Sequence, residues 1–429
     1  MIQKPKGTYD VTKEQSSKIL YLEKLLKALM ENYNYTYIRT PLFEVSELFH
    51  RGVGETTDIV TKETYDFKDR GDRNMTLRPE GTAGVVRAFI ENKLYADPNM
   101  PVKNWYYGPM YRYERPQSGR FREFYQFGVE VFGSNDPMID AEVISIPVNF
   151  YKLLGLKGVK VKINSLGDKE SREMYHQALT AHFEPHIKDL CKDCQERFIK
   201  NPLRILDCKV DADKECMKTA PTTIEYLNEE SRIFFENVQK YLKKMHVDFA
   251  VDPSVVRGLD YYTHTVFEVE AAIEGFGSQN VLCGGGRYNG LVETIGDRSV
   301  PGVGFALGME RLLTALAFEN ITLGEEEGID VYVIPMAEED KEEAIEVTQV
   351  LRMNGFKADT DYMSRNLKAN FKQADRLKAT YLILLGEEER QTKMYTLKEN
   401  TTQKEYKIEK ENLISFLDEH IEEEEHETI

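Results

Sequence analysis

The sequence predicts a long α+β region followed by a small α/β domain. At about 100–200 residues per domain, a chain of 429 residues holds two to four domains rather than one module. Between 74 and 133 the pattern runs strand, helix, strand, loop, strand, and helical signals then fill 137–154 and 168–188. Past a polar stretch at Glu319–Gly328, strands alternate with helices, as in a small parallel or mixed α/β domain.

The elements follow in order. Ser16 to Tyr33 is the first helix, because Ile19, Leu22, Leu26, Leu29 and Tyr33 recur in steps of three and four. Tyr37–Phe43 is rich in β-branched and aromatic residues and reads as a strand broken by Pro41. Arg115–Arg120 is a loop flagged by Pro116 and Gly119. Residues 190–222 carry four cysteines and look irregular, and a helix follows at about 224–245. Strand-like alternation returns at Val266–Glu270 and Ser278–Cys283, and Pro301–Phe318 is a strand leading into a helix. In the last domain the expected order is strand Val331–Pro335, helix 338–354, strand 356–360, helix 364–379 and strand Tyr381–Leu385. The acidic run Glu422–Glu425 reads as a solvated helix end or tail.

Composition narrows the function. With 41% hydrophobic residues the chain can bury a sizeable core. Its 73 acidic against 56 basic residues give a charge of −17, which argues against coating nucleic acid by bulk charge and leaves local patches to do so. No apolar run approaches 18 residues, so no spanning helix and no membrane partner are expected. The first residues, Met1 to Lys6, lack an apolar core and predict no export signal. Together with only five cysteines, this predicts reduced thiols and a cytoplasmic location.

Three segments carry chemistry. The first is 111–130, where Arg112, Arg115, Arg120 and Arg122 flank one tight loop. On the strand after the loop, Arg122, Gln126 and Glu130 share parity and project from one face, with Phe127, Val129 and Val131 on the other. Such a face suits a polyphosphate together with a cationic ligand; a solvated face of surface ion pairs has the same pattern. The second is Arg257-Gly258-Leu259-Asp260-Tyr261-Tyr262, where glycine lets an arginine approach a ligand closely, or an edge strand passes. The third is Gly302–Leu312, a Gly-rich strand followed by Arg311 in the first turn of a helix. A cation is unfavourable at a helix N-terminus, so an anionic or π-rich partner is expected there.

In this order the three segments resemble those of the histidyl-tRNA synthetases, which are class II aminoacyl-tRNA synthetases. Ile38-Arg39-Thr40-Pro41 is similar to motif 1, residues 111–130 to motif 2 and Gly302–Leu312 to motif 3. Leu77-Arg78-Pro79-Glu80-Gly81-Thr82 and Arg257–Tyr262 resemble the histidine-selective signatures, and the likeness covers nearly the whole chain. Tyr125 departs from the pattern, standing where motif 2 has a histidine.

The resemblance implies an α+β catalytic domain on an antiparallel sheet over 1–325, with a helical insertion at about 168–248, and a small α/β anticodon-binding domain over 329–429. It implies ATP-dependent activation of L-histidine and transfer to the 3′ end of histidine tRNA by a homodimer whose interface motif 1 builds. Arg257 and Arg112 would be catalytic. Glu80, Gly81, Thr82, Arg112, Gln126, Glu130, Arg257, Tyr261, Tyr262 and Tyr288 would bind histidine. Arg112, Arg120 and Arg311 would bind ATP, with Mg²⁺ on its phosphates. Arg115 and Gln117 would meet the tRNA acceptor end.

Two further patterns stand apart from these motifs. On the 364–379 helix, Arg365, Lys368, Lys372 and Arg376 make one basic stripe opposite Leu367, Phe371, Ala374 and Leu377, which suits RNA phosphates or a plain solvated face. Cys191, Cys194, Cys208 and Cys216 could supply four thiolates to a structural zinc, or remain free thiols; only the first pair has zinc-knuckle spacing. Two competing functions share the catalytic fold. A regulatory paralogue of the synthetases would lack the last domain and the arginine signatures, and a class II enzyme for another amino acid would lack Arg257–Tyr262.

Overall fold

A computed structural model of the chain describes residues 1–54, 57, 59–117, 119–206, 208, 210–256, 261–276, 280–324 and 328–421. It forms two compact units, Met1–Leu323 and Gly324–Ile429, divided within the polar stretch.

The first unit is built on an eight-stranded sheet. Its order is Thr36–Tyr37, Val102–Tyr111, Glu123–Phe132, Gly302–Gly308, Val281–Arg287, Thr263–Ala271, Val159–Ser165 and Phe249–Val251. The inner pairings are antiparallel, and the short first and last strands pair in parallel with their neighbours. The predicted strand around Pro41 is two short pieces, Thr36–Tyr37 and Phe43–Val45, and the second joins a small sheet with Asn74–Leu77 and Tyr65–Lys68.

Strand alternation gives the large sheet two different faces. Phe127, Val129 and Val131 point to one side and pack with Leu22, Leu26, Ile144, Phe150, Val238 and Leu242 from the helices Lys13–Asn32, Pro137–Leu153 and Glu229–Lys244. Two of these helices begin on capping side chains: Asp136 accepts from Met138 N at 2.8 Å ahead of Pro137, and Asn228 accepts from Ser231 N at 2.9 Å. Gln126, Gly128 and Glu130 lie on the opposite side of the strand. That face is covered only in part, by Val85, Val86 and Phe89 of the helix Thr82–Glu91 and by Leu291 and Val292.

The insertion is helical. Lys169–Phe183 and a tight turn at Glu184–Asp189 lead into Lys192–Lys200, within the stretch expected to be irregular. Cysteine spacing hid this nine-residue helix, whose inner side is Cys194 and Phe198. A small separate core gathers Tyr175, Leu179, Phe183, Leu190, Cys194, Ile205, Cys208 and Cys216.

The second unit has a five-stranded sheet ordered Ala358–Thr360, Val331–Pro335, Tyr381–Leu385, Met394–Glu399 and Glu405–Glu409. The first three strands are parallel and the last two form an antiparallel edge. Lys341–Met353 and Leu413–His420 cover one face, and Leu367–Arg376 packs Ala374 and Phe371 against the other. The acidic run Glu422–Glu425 lies outside the described residues.

Candidate active site

The half-open face of the large sheet carries a cleft whose floor is short of side chains. Glycines occupy neighbouring positions across three strands: Gly304 pairs with Glu130 on one side and Gly286 on the other, and Gly308 pairs with Gln126. Two of them make room for specific groups. A Cβ on Gly304 would lie 2.0 Å from the Glu130 carboxylate, and one on Gly128 would lie 2.4 Å from the Tyr106 ring.

Into this space the fold brings Glu80, Thr82, Arg112, Arg120, Gln126, Tyr261, Tyr262, Tyr288 and Arg311. They come from segments more than two hundred positions apart. At the inner end, Glu80 accepts from the backbone N–H groups of Thr82 at 2.8 Å and Ala83 at 2.9 Å, where a carboxylate suits the start of the helix Thr82–Glu91. The Thr82 hydroxyl donates to Glu130 Oε1 at 2.7 Å, Tyr106 donates to the same oxygen at 3.4 Å, and Tyr288 donates to Oε2. Glu130 is only 1% exposed and sits behind Thr82 and Tyr288 rather than on the cleft wall. Burial raises its pKa to about 8, against the hydroxyl donors that favour the anion and with the neighbouring Glu80 adding to the rise. Burial likewise raises the pKa of Glu80. The Gln126 Oε1 atom is buried and has no hydrogen-bond partner among the described residues.

The outer end is cationic. Arg112 Nε donates to Pro79 O at 2.9 Å, and its guanidinium lies 5.2 Å from the Phe124 ring centre. Arg120 pairs with Glu114 at 3.0 Å. Arg311 Nη1 donates to Val281 O at 2.8 Å, which holds the guanidinium against the sheet. Beside it Glu310 accepts from Tyr9 at 2.7 Å and from the Tyr125 N–H at 2.8 Å, and burial raises its pKa. Tyr125, the departure from motif 2, therefore meets the site through its backbone.

Other expected residues fall elsewhere. Arg122 precedes the strand, donates to Glu114 O at 3.2 Å and stacks over Tyr113. Arg115 and Gln117 are exposed on the loop outside the cleft. Gly81 leaves the room the Tyr106 ring occupies. Arg257 lies outside the described residues. In the second unit Lys368, Lys372 and Arg376 are exposed on one helix, while Arg365 precedes it and pairs with Asp361 at 2.6 Å. Cys191, Cys194 and Cys208 come together with Asp211, and Cys216 is buried outside that group.

Several contributors escaped the sequence reading. Tyr106 could have been found by alternation in Trp105-Tyr106-Tyr107, which sets it beside Gly128. Tyr9 and Glu310 are 301 positions apart, and no local pattern joins them. The same holds for Asp140 and Arg287, both 0% exposed and 147 positions apart, which form an ion pair with an Nε–Oδ1 distance of 3.1 Å at the base of Tyr288.

The family described as Histidyl-tRNA synthetase matches residues 7–312, and the one described as Anticodon binding domain matches 330–420. A Histidine–tRNA ligase of Anoxybacillus flavithermus is 56% identical over 415 residues, covering 97% of this chain and 98% of that protein. The crystal structure of apo histidyl-tRNA synthetase from S. aureus is 44% identical with a TM-score of 0.84, covering 97% of this chain and all of that one. An ATP phosphoribosyltransferase regulatory subunit/histidyl-tRNA synthetase structure from Bacillus halodurans, 23% identical with a TM-score of 0.58, covers 87% of this chain and 96% of that one and shares the fold.

Proposed function

The chain belongs to the histidyl-tRNA synthetase family, and from that premise we propose that it activates L-histidine with ATP and transfers the histidyl group to the 3′ end of histidine tRNA. One observation carries the reading: a single cleft joins a buried polar pocket to a rim of arginines. The histidine carboxylate attacks the α-phosphate of ATP, the bond to the β-phosphate oxygen breaks, and pyrophosphate leaves. A terminal ribose hydroxyl of the tRNA then attacks the acyl carbon and AMP leaves.

Charge builds on the phosphoryl oxygens in the first step, and fixed cations stabilise it without moving a proton. Arg112 and Arg257 serve there, Arg120 reaches the outer phosphates, and Arg311, held by Val281 O, stacks under the adenine. Mg²⁺ accompanies ATP; the cleft offers Glu114 and Glu310 as hard oxygen donors on the arginine side. Glu80, Thr82 and Gln126 receive the α-amino group, for which Gln126 Oε1, without a partner among the described residues, is an acceptor. Tyr261, Tyr262 and Tyr288 enclose the imidazole, and Glu130 acts on it through the hydroxyls it holds.

Arg115 and Gln117 meet the acceptor end of the tRNA from their exposed loop. Residues 329–429 bind the anticodon stem. The homodimer forms through the segment around Pro41, where Tyr37, Leu42, Phe43 and Val45 are each at least 44% exposed and form an apolar surface. No helix among the described residues is long and apolar enough to cross a membrane. Pyrophosphate exchange measured across the twenty amino acids tests the reading. Exchange should appear with histidine and ATP alone, without tRNA. Exchange with a different amino acid, or none with histidine, overturns it.

A further inference from the structure

We propose that Cys191, Cys194, Cys208 and Asp211 form a structural zinc site that staples the insertion together. The sequence places two halves with the same spacing, Cys191-Xaa2-Cys194 and Cys208-Xaa2-Asp211. In the fold each half brings its two ligand atoms together. Cys191 immediately precedes the helix Lys192–Lys200, so Cys194 returns to the same side one turn later. At the other half the Asp211 N–H donates to Cys208 Sγ at 3.4 Å, folding the second ligand back over the first. The Cys191 N–H donates to Asp211 Oδ2 at 2.8 Å and ties the two halves together.

The four ligand atoms all lie within 4.8 Å of one another. Cys191 Sγ is 3.7 Å from Cys208 Sγ, and Cys208 Sγ is 3.7 Å from Asp211 Oδ2. A tetrahedron around zinc with Zn–S bonds of about 2.3 Å has S–S edges of about 3.8 Å, so these separations are those of ligands around an ion. A disulfide requires about 2.05 Å and would use two thiols, leaving one thiol and a buried carboxylate unexplained. Asp211 is 2% exposed among three sulfurs, a poor place for a carboxylate without a cation. Lys214 supplies part of that charge, at 2.9 Å from Oδ1, and also donates to Asp189 O. Three thiolates and a carboxylate around Zn²⁺ leave a charge of about −2, which the lysine halves.

Four protein ligands close the coordination shell, so the site is structural and offers no open position for chemistry. The insertion needs such a staple. Its local core is a handful of residues, two of them the ligands Cys194 and Cys208, and a core of this size supplies little burial by itself.

The full chain, reduced and purified without chelator, tests this. Elemental analysis should find about one zinc per chain, and Co²⁺ added to stripped protein should give the visible bands of tetrahedral thiolate coordination. Cys208→Ser should lose the metal, Asp211→Cys should keep it with an intensified sulfur-to-cobalt band, and Cys216→Ser should bind like the unaltered chain. Should Cys208→Ser fail to fold, the cobalt titration of the unaltered chain still decides. Absence of zinc together with no visible band on adding Co²⁺ overturns the site. Loss of metal in Cys216→Ser overturns this ligand set.

Discussion

At the inner end of the cleft, Glu80, Glu130, Tyr106 and Tyr288 are buried and hydrogen-bonded to one another or through Thr82, whereas at the outer end Arg112, Arg120 and Arg311 stay partly exposed and lean on carbonyl oxygens and on Glu114. The inner end has little freedom to repack, because Tyr288 turning away would strand the buried Oε2 of Glu130. That rigidity fits one small ligand and rejects others. The outer end keeps strong cations on long stems, and a guanidinium holds its charge whatever its neighbours do. It suits a large polyanion that arrives whole and leaves in two parts. On the proposed function, selectivity and catalytic power reside at opposite ends of one cleft.

Damage to the outer end should be the most severe. Arg112→Ala is expected to slow histidine-dependent pyrophosphate exchange about 10²–10³-fold, with a much smaller change in the histidine KM, and Arg257→Ala should do the same. A loss carried by KM instead would make these arginines binding groups. At the inner end, Glu130→Gln should raise the histidine KM about 10–10²-fold, the equivalent of roughly 1.4–2.7 kcal/mol for disturbing the buried hydrogen bonds through which it holds Thr82 and Tyr288. The ATP KM should barely move. If the ATP KM moves and the histidine KM does not, Glu130 serves the phosphates and the contrast between the ends collapses.

The inner end also predicts a pH dependence. Glu130 has a folded-state pKa of about 8 against an ordinary 4.5, so the folded chain binds more protons than the unfolded one between those values. Its contribution to stability is complete below about pH 4.5 and is lost as pH rises through about 8, at no more than about tenfold per pH unit in the folding equilibrium. Thermal melts of the ligand-free protein across this window should fall, and the fall should flatten in Glu130→Gln. An identical slope in both would mean the carboxyl stays ionised in the fold. The smallest effect concerns the second unit. Lys368→Ala or Lys372→Ala should leave exchange unchanged and weaken tRNA binding, lowering the salt slope by about one for each lysine that meets a phosphate. Filter binding across a salt series measures it.

How much of this could be read from the sequence depended on how local each signal was. Val331–Pro335 and Tyr381–Leu385 stand in the fold at the residues their apolar runs indicated, because both are buried in the middle of a sheet. The parity of Gln126 and Glu130 placed both on the cleft side, but it failed for Arg122, since alternation lapses where the strand has not yet begun. The hairpin Met394–Glu399 and Glu405–Glu409 was missed because it closes the open edge of its sheet. Tyr395, Leu397, Tyr406 and Ile408 turn inward, while Lys398, Glu405, Lys407 and Glu409 break up any apolar run. Asp211 was missed because attention to cysteine spacing passes over a carboxylate. Tyr106, by contrast, was within reach of the same alternation that found Glu130.

The ion pair beneath Tyr288 has a consequence for how this chain can change over generations. Asp140 and Arg287 are sealed from water, and removing one alone strands the other at a cost of about 3–5 kcal/mol. A single-step replacement at either position therefore meets a steep barrier, while replacing both together with apolar residues of similar volume need not. Two positions 147 apart in the chain are thus bound to a common fate. Arg287 is followed in the same segment by Tyr288, whose hydroxyl donates to Glu130, so the constraint falls one residue from the cleft.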